Sequence, residues 1–350
     1  MSGLSAALRG AALLVAALAL SACQINTRFE TASAPPEHFV GQDAFTQVAE
    51  MRRGVNVLSE DPGWTDPANA RFKPEYFKKI RDAGFSTVRI VMNAFDHMDA
   101  TYVIESGWLG HLDLMVKAAL DAGLTVILDE HDFMYCARDA AVCGSKLNAF
   151  WAQVAPRYRN ASARLVFEVL NEPNGALTPE LWNAQINQTL PVIRATNPLR
   201  NVIIGPAFWN NFAYLPKLEL PVADRHIIVT FHYYAPMEFT HQGSPWVMQF
   251  KKTGRDWGSD ADLAQVKQDF DAVKAWSDEW NRPILLGEFG AYETGPADGR
   301  LRYTSTIARA AEAHGYAWCY WQFDKDFIVY DIAKDAWVEP ILDALIPPKK

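Results

Sequence analysis

The chain has 350 residues, of which 49% are hydrophobic and 21% charged, with a formal net charge of -8. That apolar content excludes an intrinsically disordered chain and is enough for a large core. The acidic balance, with a pI near 5.5, argues against a nucleic-acid partner, which needs clustered Lys and Arg to meet phosphates.

In chain order, the first element is a targeting segment. Arg9 precedes GAALLVAALALSAC, an apolar run too short to span a bilayer and ending in small residues, the form of a secretory signal. Leu20-Ser21-Ala22-Cys23 resembles a bacterial lipobox. That resemblance implies a signal over residues 1–22 and a lipid on Cys23; a plain secretory signal or an uncleaved anchor is the alternative. Residues 23–49, with TASAPPEH, read as a tether. The folded domain is expected over 50–350.

From there short apolar runs alternate with amphipathic stretches. The strand candidates are RGVNV, TVRIVM, TVILDEH, RLVFEVLN, NVIIGPA, HIIVTFHYY, PILLGEFG and YAWCYWQF. Helical patterns such as PEYFKKIRDAG, LGHLDLMVKAALDAG and DGRLRYTSTIARAAEAHG separate them, several ending in Gly just before the next strand. Near-continuous apolar strands alternating with helices predict a parallel sheet covered on both faces. The series occupies about 300 residues, which suits a single-domain α/β chain folded as a (β/α)8 TIM barrel. The rival, an open doubly wound sheet, lacks a Gly-rich phosphate loop after its first strand.

A barrel of this kind carries its active face at the C-terminal strand ends. Polar and aromatic residues fall there in strand after strand: Arg89, His131, Asn171 with Glu172, Trp209, His232 with Tyr234, Glu288 and Trp321. Two carboxylates, Glu172 and Glu288, would enter one mouth from opposite sides. Such a pair is what retaining glycoside hydrolysis needs, one carboxylate attacking the anomeric carbon and the other donating a proton to the leaving oxygen. A structural pair, or a metal site using both, is the other reading of the same residues. LDEHD at 128–132 does not make a compact metal site, because alternation sends Asp129 and His131 to one face and Glu130 and Asp132 to the other.

Asn171-Glu172-Pro173 and Gly287-Glu288-Phe289-Gly290, each after an apolar strand, resemble glycoside hydrolase family 5, the cellulase family. The ordered series is similar over residues 52–345: Arg89, His131, Asn171-Glu172, His232-x-Tyr234, Glu288 and Trp321. The resemblance implies a metal-free and cofactor-free retaining glycosidase, most simply an endo-β-1,4-glucanase, with Glu172 as acid/base and Glu288 as nucleophile. It also implies that Asn171 meets the sugar 2-hydroxyl and that Arg89 and Tyr234 orient the nucleophile. His131 and His232 would line the cleft, and Trp321 would floor the sugar beside the cleaved bond. Trp209 is a candidate sugar platform, and Trp246 a candidate for closing the cleft. Glu130 stands where the family often has an apolar or aromatic residue.

The alternatives are a glycanase acting on mannan, β-1,3-glucan or exopolysaccharide, a non-catalytic carbohydrate-binding lipoprotein, and a metal-dependent hydrolase of the same fold. Cys136 and Cys143 lie close together and either pair in an oxidising compartment or remain thiols; Cys319 is expected as a buried free thiol. The expected setting is the bacterial cell envelope, with a monomer attached to the membrane through its lipid alone and a polysaccharide as its partner.

Overall fold

The structure, a computed structural model, describes residues 39–348. The targeting run, Cys23 and most of the expected tether lie outside the described residues.

Eight parallel strands close into a barrel in the order β1 to β8, with β8 pairing back on β1. They are β1 (Arg53–Val57), β2 (Thr87–Met92), β3 (Thr125–Glu130), β4 (Leu165–Glu168), β5 (Val202–Ile204), β6 (Ile227–Tyr233), β7 (Ile284–Phe289) and β8 (Ala317–Tyr320). Every strand candidate is found, with the ends of several trimmed because the polar residues there leave the ladder for the loops. The principal helices are α1 (Ala44–Met51), α2 (Glu75–Asp82), α3 (Ser106–Asp121), α4 (Ala140–Arg157), α5 (Pro179–Arg194), α6 (Asp260–Trp280), α7 (Ala297–Ala313) and α8 (Glu339–Leu345).

Alternation along each strand divides its side chains between two apolar environments. Outward residues such as Val126, Leu128, Phe167, Val229 and Trp318 join the large core beneath the helices. Inward residues Ile127, Val166, Ile203, Ile228, Leu285, Ala317 and Cys319 form a second cluster inside the barrel. Ala44, Val48 and Met51 complete that inner cluster, so α1 stoppers the N-terminal end of the barrel. This corrects the expected tether boundary at residue 49. The run from Ala44 is a capped amphipathic helix, with Asp43 accepting from the Thr46 amide, and its apolar face is buried.

Cys136, in the loop after β3, forms a disulfide with Cys143 near the start of α4, and Cys319 is free and buried. The same loop is tied to the one that carries Glu172, since the Ala176 amide donates to the Ala137 carbonyl at 2.9 Å. Between β6 and β7 the register shifts at Phe231/His232, which brings His232 level with Glu288. Among the described residues no helix is long and apolar enough to cross a membrane.

Candidate active site

Above the inner apolar cluster the inward-facing residues turn polar. Buried charge is costly unless paired, and the pairing here centres on Arg89, which is fully buried. Its Nε and Nη2 donate to the two oxygens of Glu168 at 2.7 and 2.9 Å. Nη1 donates to Asn56 Oδ1 at 2.9 Å and to Glu288 Oε1 at 2.8 Å. Nη2 also reaches Asn171 Oδ1 at 2.8 Å and lies 3.0 Å from Asp129 Oδ2. Burial works against its charge, but Asp129, Glu168 and Glu288 hold the guanidinium protonated well above its ordinary value. One cation cannot neutralise three carboxylates. Burial accordingly pushes Glu168 upward and Asp129 up to about 8, against the pull of Arg89.

Glu172 and Glu288 face each other above this floor. An oxygen of each, with a ring nitrogen of His232, all lie within 4.8 Å of one another. His232 Nδ1 is 2.7 Å from Glu172 Oε1 and 3.6 Å from Glu288 Oε2. The two carboxylates sit in different surroundings. Glu288 accepts from Arg89 on one oxygen and from the Tyr234 hydroxyl on the other, at 2.9 Å, and both donors favour its ionised form. Glu172 meets neither donor, and burial pushes it up to about 7. Burial raises Glu288 as well, while His232 and Arg89 act in the opposite direction. Burial depresses His131 and His232 to about 4, so both rings are neutral at neutral pH.

Glu172, His232 and Glu288 are close enough to consider as cation ligands. Against that role, both Glu288 oxygens already bind hydrogen donors, and the Arg89 charge 2.8 Å away opposes a second cation. The arrangement is suited to nucleophilic attack and proton transfer.

The remaining candidates surround this pair. His131 stacks on Trp321 with ring centroids 5.6 Å apart and planes 10° from parallel. Its Nδ1 lies 2.5 Å from Asp129 Oδ2, and its Nε2 lies 3.3 Å from Asn171 Nδ2. Arg89, His131, Asn171, Glu172, His232, Tyr234 and Glu288 thus belong to one cluster of polar contacts, which Trp321 joins by stacking. Trp209 lies outside that cluster. Its ring is exposed and packs edge-on against Phe208, while its amide donates to the Pro173 carbonyl just after Glu172. Trp246 is half-exposed and packs edge-on against Tyr292.

Sequence reading missed four members: Asn56, Asp129 and Glu168 beneath the pair, and Asn210 behind His232. The first three had a signal. Each is a polar residue at an inward-facing position of an otherwise apolar strand. Asn210 had none, because it reaches the site only through an unusual turn.

A family model described as cellulase (glycosyl hydrolase family 5) matches residues 46–326. Endoglucanase H of Acetivibrio thermocellus is 31% identical over 331 residues, covering 91% of this chain and 35% of that protein. The chain therefore spans about a third of that relative's length. Endoglucanase Cel5A from the hyperthermophile Thermotoga maritima superposes with a TM-score of 0.83 at 38% identity, covering 87% of this chain and all of that one. Structures of that enzyme include complexes with cellobiose and with mannotriose. The cellulose synthase subunit Z of Clostridioides difficile superposes with a TM-score of 0.80 at 33% identity, covering 85% of this chain and 99% of that one. With the barrel, the paired carboxylates and these matches together, the chain belongs to glycosyl hydrolase family 5, the cellulase family.

Proposed function

We propose that this chain is a retaining endo-β-1,4-glucanase in which Glu288 is the nucleophile and Glu172 the acid/base. The observation that carries the reading is the approach of the two carboxylates to within 4.8 Å. Retaining enzymes hold theirs about 5–5.5 Å apart, whereas inverting ones leave about 6.5–9.5 Å for a water. In the first step a Glu288 oxygen bonds to the anomeric carbon, the glycosidic C–O bond breaks, and the leaving oxygen takes the Glu172 proton. In the second, water attacks the same carbon and gives a proton to Glu172, and the ester to Glu288 breaks. Both residues return to their starting states.

The supporting roles follow from the contacts. Arg89 and Tyr234 orient Glu288 and favour its ionised form. Arg89 and His131 fix the Asn171 amide, which is suited to bonding a sugar 2-hydroxyl as the transition state forms. The stacked His131–Trp321 pair offers an apolar face to a sugar ring. Trp209 and Trp246 would contact neighbouring sugars.

The experiment is hydrolysis of carboxymethyl-cellulose by the wild type, Glu172→Gln and Glu288→Ala. Each variant should lose at least about 1,000-fold in turnover with an unchanged circular dichroism spectrum. Azide should partly rescue Glu288→Ala and yield a glycosyl azide. Near-normal turnover by either variant overturns the assignment. Binding without hydrolysis by the wild type would favour a carbohydrate-binding lipoprotein instead.

A second reading, activity on mannan, is favoured by the mannotriose complex of the related Thermotoga maritima enzyme. We also propose export and lipidation at Cys23, with action on polysaccharide at the cell envelope. The lipobox supports the export and the anchor, and the likeness to a cellulose synthase subunit supports a polysaccharide as what it acts on. Labelled palmitate should enter the wild-type protein and be absent from Cys23→Ala. Equal labelling of both would remove the anchor from the proposal.

A further inference from the structure

We propose that Asn210 is a positioning residue that fixes the tautomer of His232, so that the ring donates from Nδ1 to Glu172 Oε1 and the acid proton of Glu172 is carried on Oε2. This inference rests on reading Glu172 as the acid/base.

The geometry begins after β5, where Phe208, Trp209 and Asn210 all adopt left-handed backbone, with φ of 65, 61 and 52°. A run of non-glycine residues there is costly and persists only when the surroundings over-determine it. Here the turn drives the Asn210 side chain inward, where it is fully buried. Gly205 makes the space for it, since a Cβ at that position would lie 2.1 Å from Asn210 Oδ1. The next residue, Asn211, bridges in parallel to His232, so the turn is registered against the strand carrying the histidine.

Asn210 Nδ2 lies 3.3 Å from His232 Nε2. In this rotamer the Asn210 amide turns its nitrogen to the ring and leaves its buried Oδ1 without a partner. An amide nitrogen only donates, so in this arrangement Nε2 accepts and does not carry the proton of a neutral ring. That proton then sits on Nδ1 and points at Glu172 Oε1, 2.7 Å away. A protonated carboxyl whose Oε1 accepts must hold its hydrogen on Oε2. Among the described residues Oε2 has no hydrogen-bond partner in the protein, which leaves it to the glycosidic oxygen. In the second step the same Nδ1–H still satisfies Oε1, and Oε2 is the free base for water. Without Asn210 the ring could take either tautomer. With the proton on Nε2, Nδ1 would instead accept from Glu172 and draw the acid proton away from the substrate. The charged and titratable groups acting on His232 are Glu172, Glu288, Arg89, Glu168 and His131, and Asn210 changes none of them.

The test uses Asn210→Leu, similar in size but unable to donate, and Asn210→Asp, which places an acceptor at Nε2. The comparison is kcat/KM on carboxymethyl-cellulose, whose leaving group needs the acid, against 2,4-dinitrophenyl β-cellobioside, whose leaving group does not. Asn210→Leu should lose about 10-fold or more on the polymer and less than about 3-fold on the aryl glycoside. Asn210→Asp should turn His232 into a cation beside Glu172 and move the basic limb of the kcat/KM profile toward lower pH. Long-range nitrogen–proton spectra of histidine-labelled wild type should show His232 protonated at Nδ1. Equal losses on both substrates, an unmoved basic limb, or a ring protonated at Nε2 would overturn the proposal. Glu172→Gln on the same two substrates separates the readings. If it too loses equally on both, the acid/base assignment fails, whatever Asn210 does.

Discussion

At the scale of single residues, the site depends on giving two similar carboxylates different proton affinities. Glu288 faces a guanidinium and a phenol hydroxyl, and Glu172 faces a neutral imidazole. Such a division lets one act as base or nucleophile while the other keeps its proton near neutrality. A pH dependence follows. Burial holds Glu172 at about 7, and in its proposed role as acid it works only while protonated, so kcat/KM on a glucan should fall as pH rises through about 7. Activity on the dinitrophenyl cellobioside should keep its rate across that range, because its leaving group needs no proton. Parallel profiles for the two substrates would assign the basic limb to another group. The residues at this scale were largely legible, because a strand end is a fixed address and Asn171-Glu172 and Glu288 occupy two of them. The cluster beneath was less so. Glu168 and Asn56 look like isolated polar interruptions until Arg89 is seen to bridge them, and that bridge spans residues 33 to 199 positions apart.

At the scale of elements, the strands were readable because both of their faces are buried, which leaves near-continuous apolar runs. Helix α1 was not, because it follows a Pro- and Ser-containing stretch and is only eight residues long. Its membership in the fold has a measurable consequence. Met51 is fully buried against the inward faces of the strands, at the barrel end opposite Glu172 and Glu288. Met51→Ala should destabilise the protein by about 2–5 kcal/mol in urea unfolding, with kcat/KM unchanged. A loss below about 0.5 kcal/mol would mean that α1 adds little to the barrel. Arg200 was equally hidden. It lies between α5 and β5 in the chain, is fully buried, and donates to the carbonyls of Tyr158, Ala161, Ser162 and Leu165, which run from the end of α4 to the start of β4. Little in the local pattern announces it, since apart from Asn197 Oδ1, which accepts from its Nε at 2.8 Å, its hydrogen-bond partners are backbone groups that every sequence has.

At the scale of the whole molecule, a closed barrel leaves no sheet edge, and chemistry is confined to one end, where eight loops meet. Those loops are what a polymer would encounter. Trp209 and Trp246 are each about half exposed, at 44% and 48%, on the loops after β5 and β6. Exposed aromatic rings on different loops are suited to holding several sugars of one chain, in place of enclosing a single chain end. A protein built this way should cut internal bonds. With carboxymethyl-cellulose, viscosity should fall by half before more than a few per cent of the linkages appear as new reducing ends. Freshly released ends should retain the β configuration in proton spectra taken within minutes, before mutarotation. Trp209→Ala and Trp246→Ala should raise KM for the polymer more than they lower kcat, because they remove binding shared by ground and transition states. Viscosity that tracks reducing ends in proportion would instead indicate attack from chain ends. Release of the α anomer would contradict the double displacement itself, because a carboxylate pair this close leaves no room for a water on the far face of the sugar.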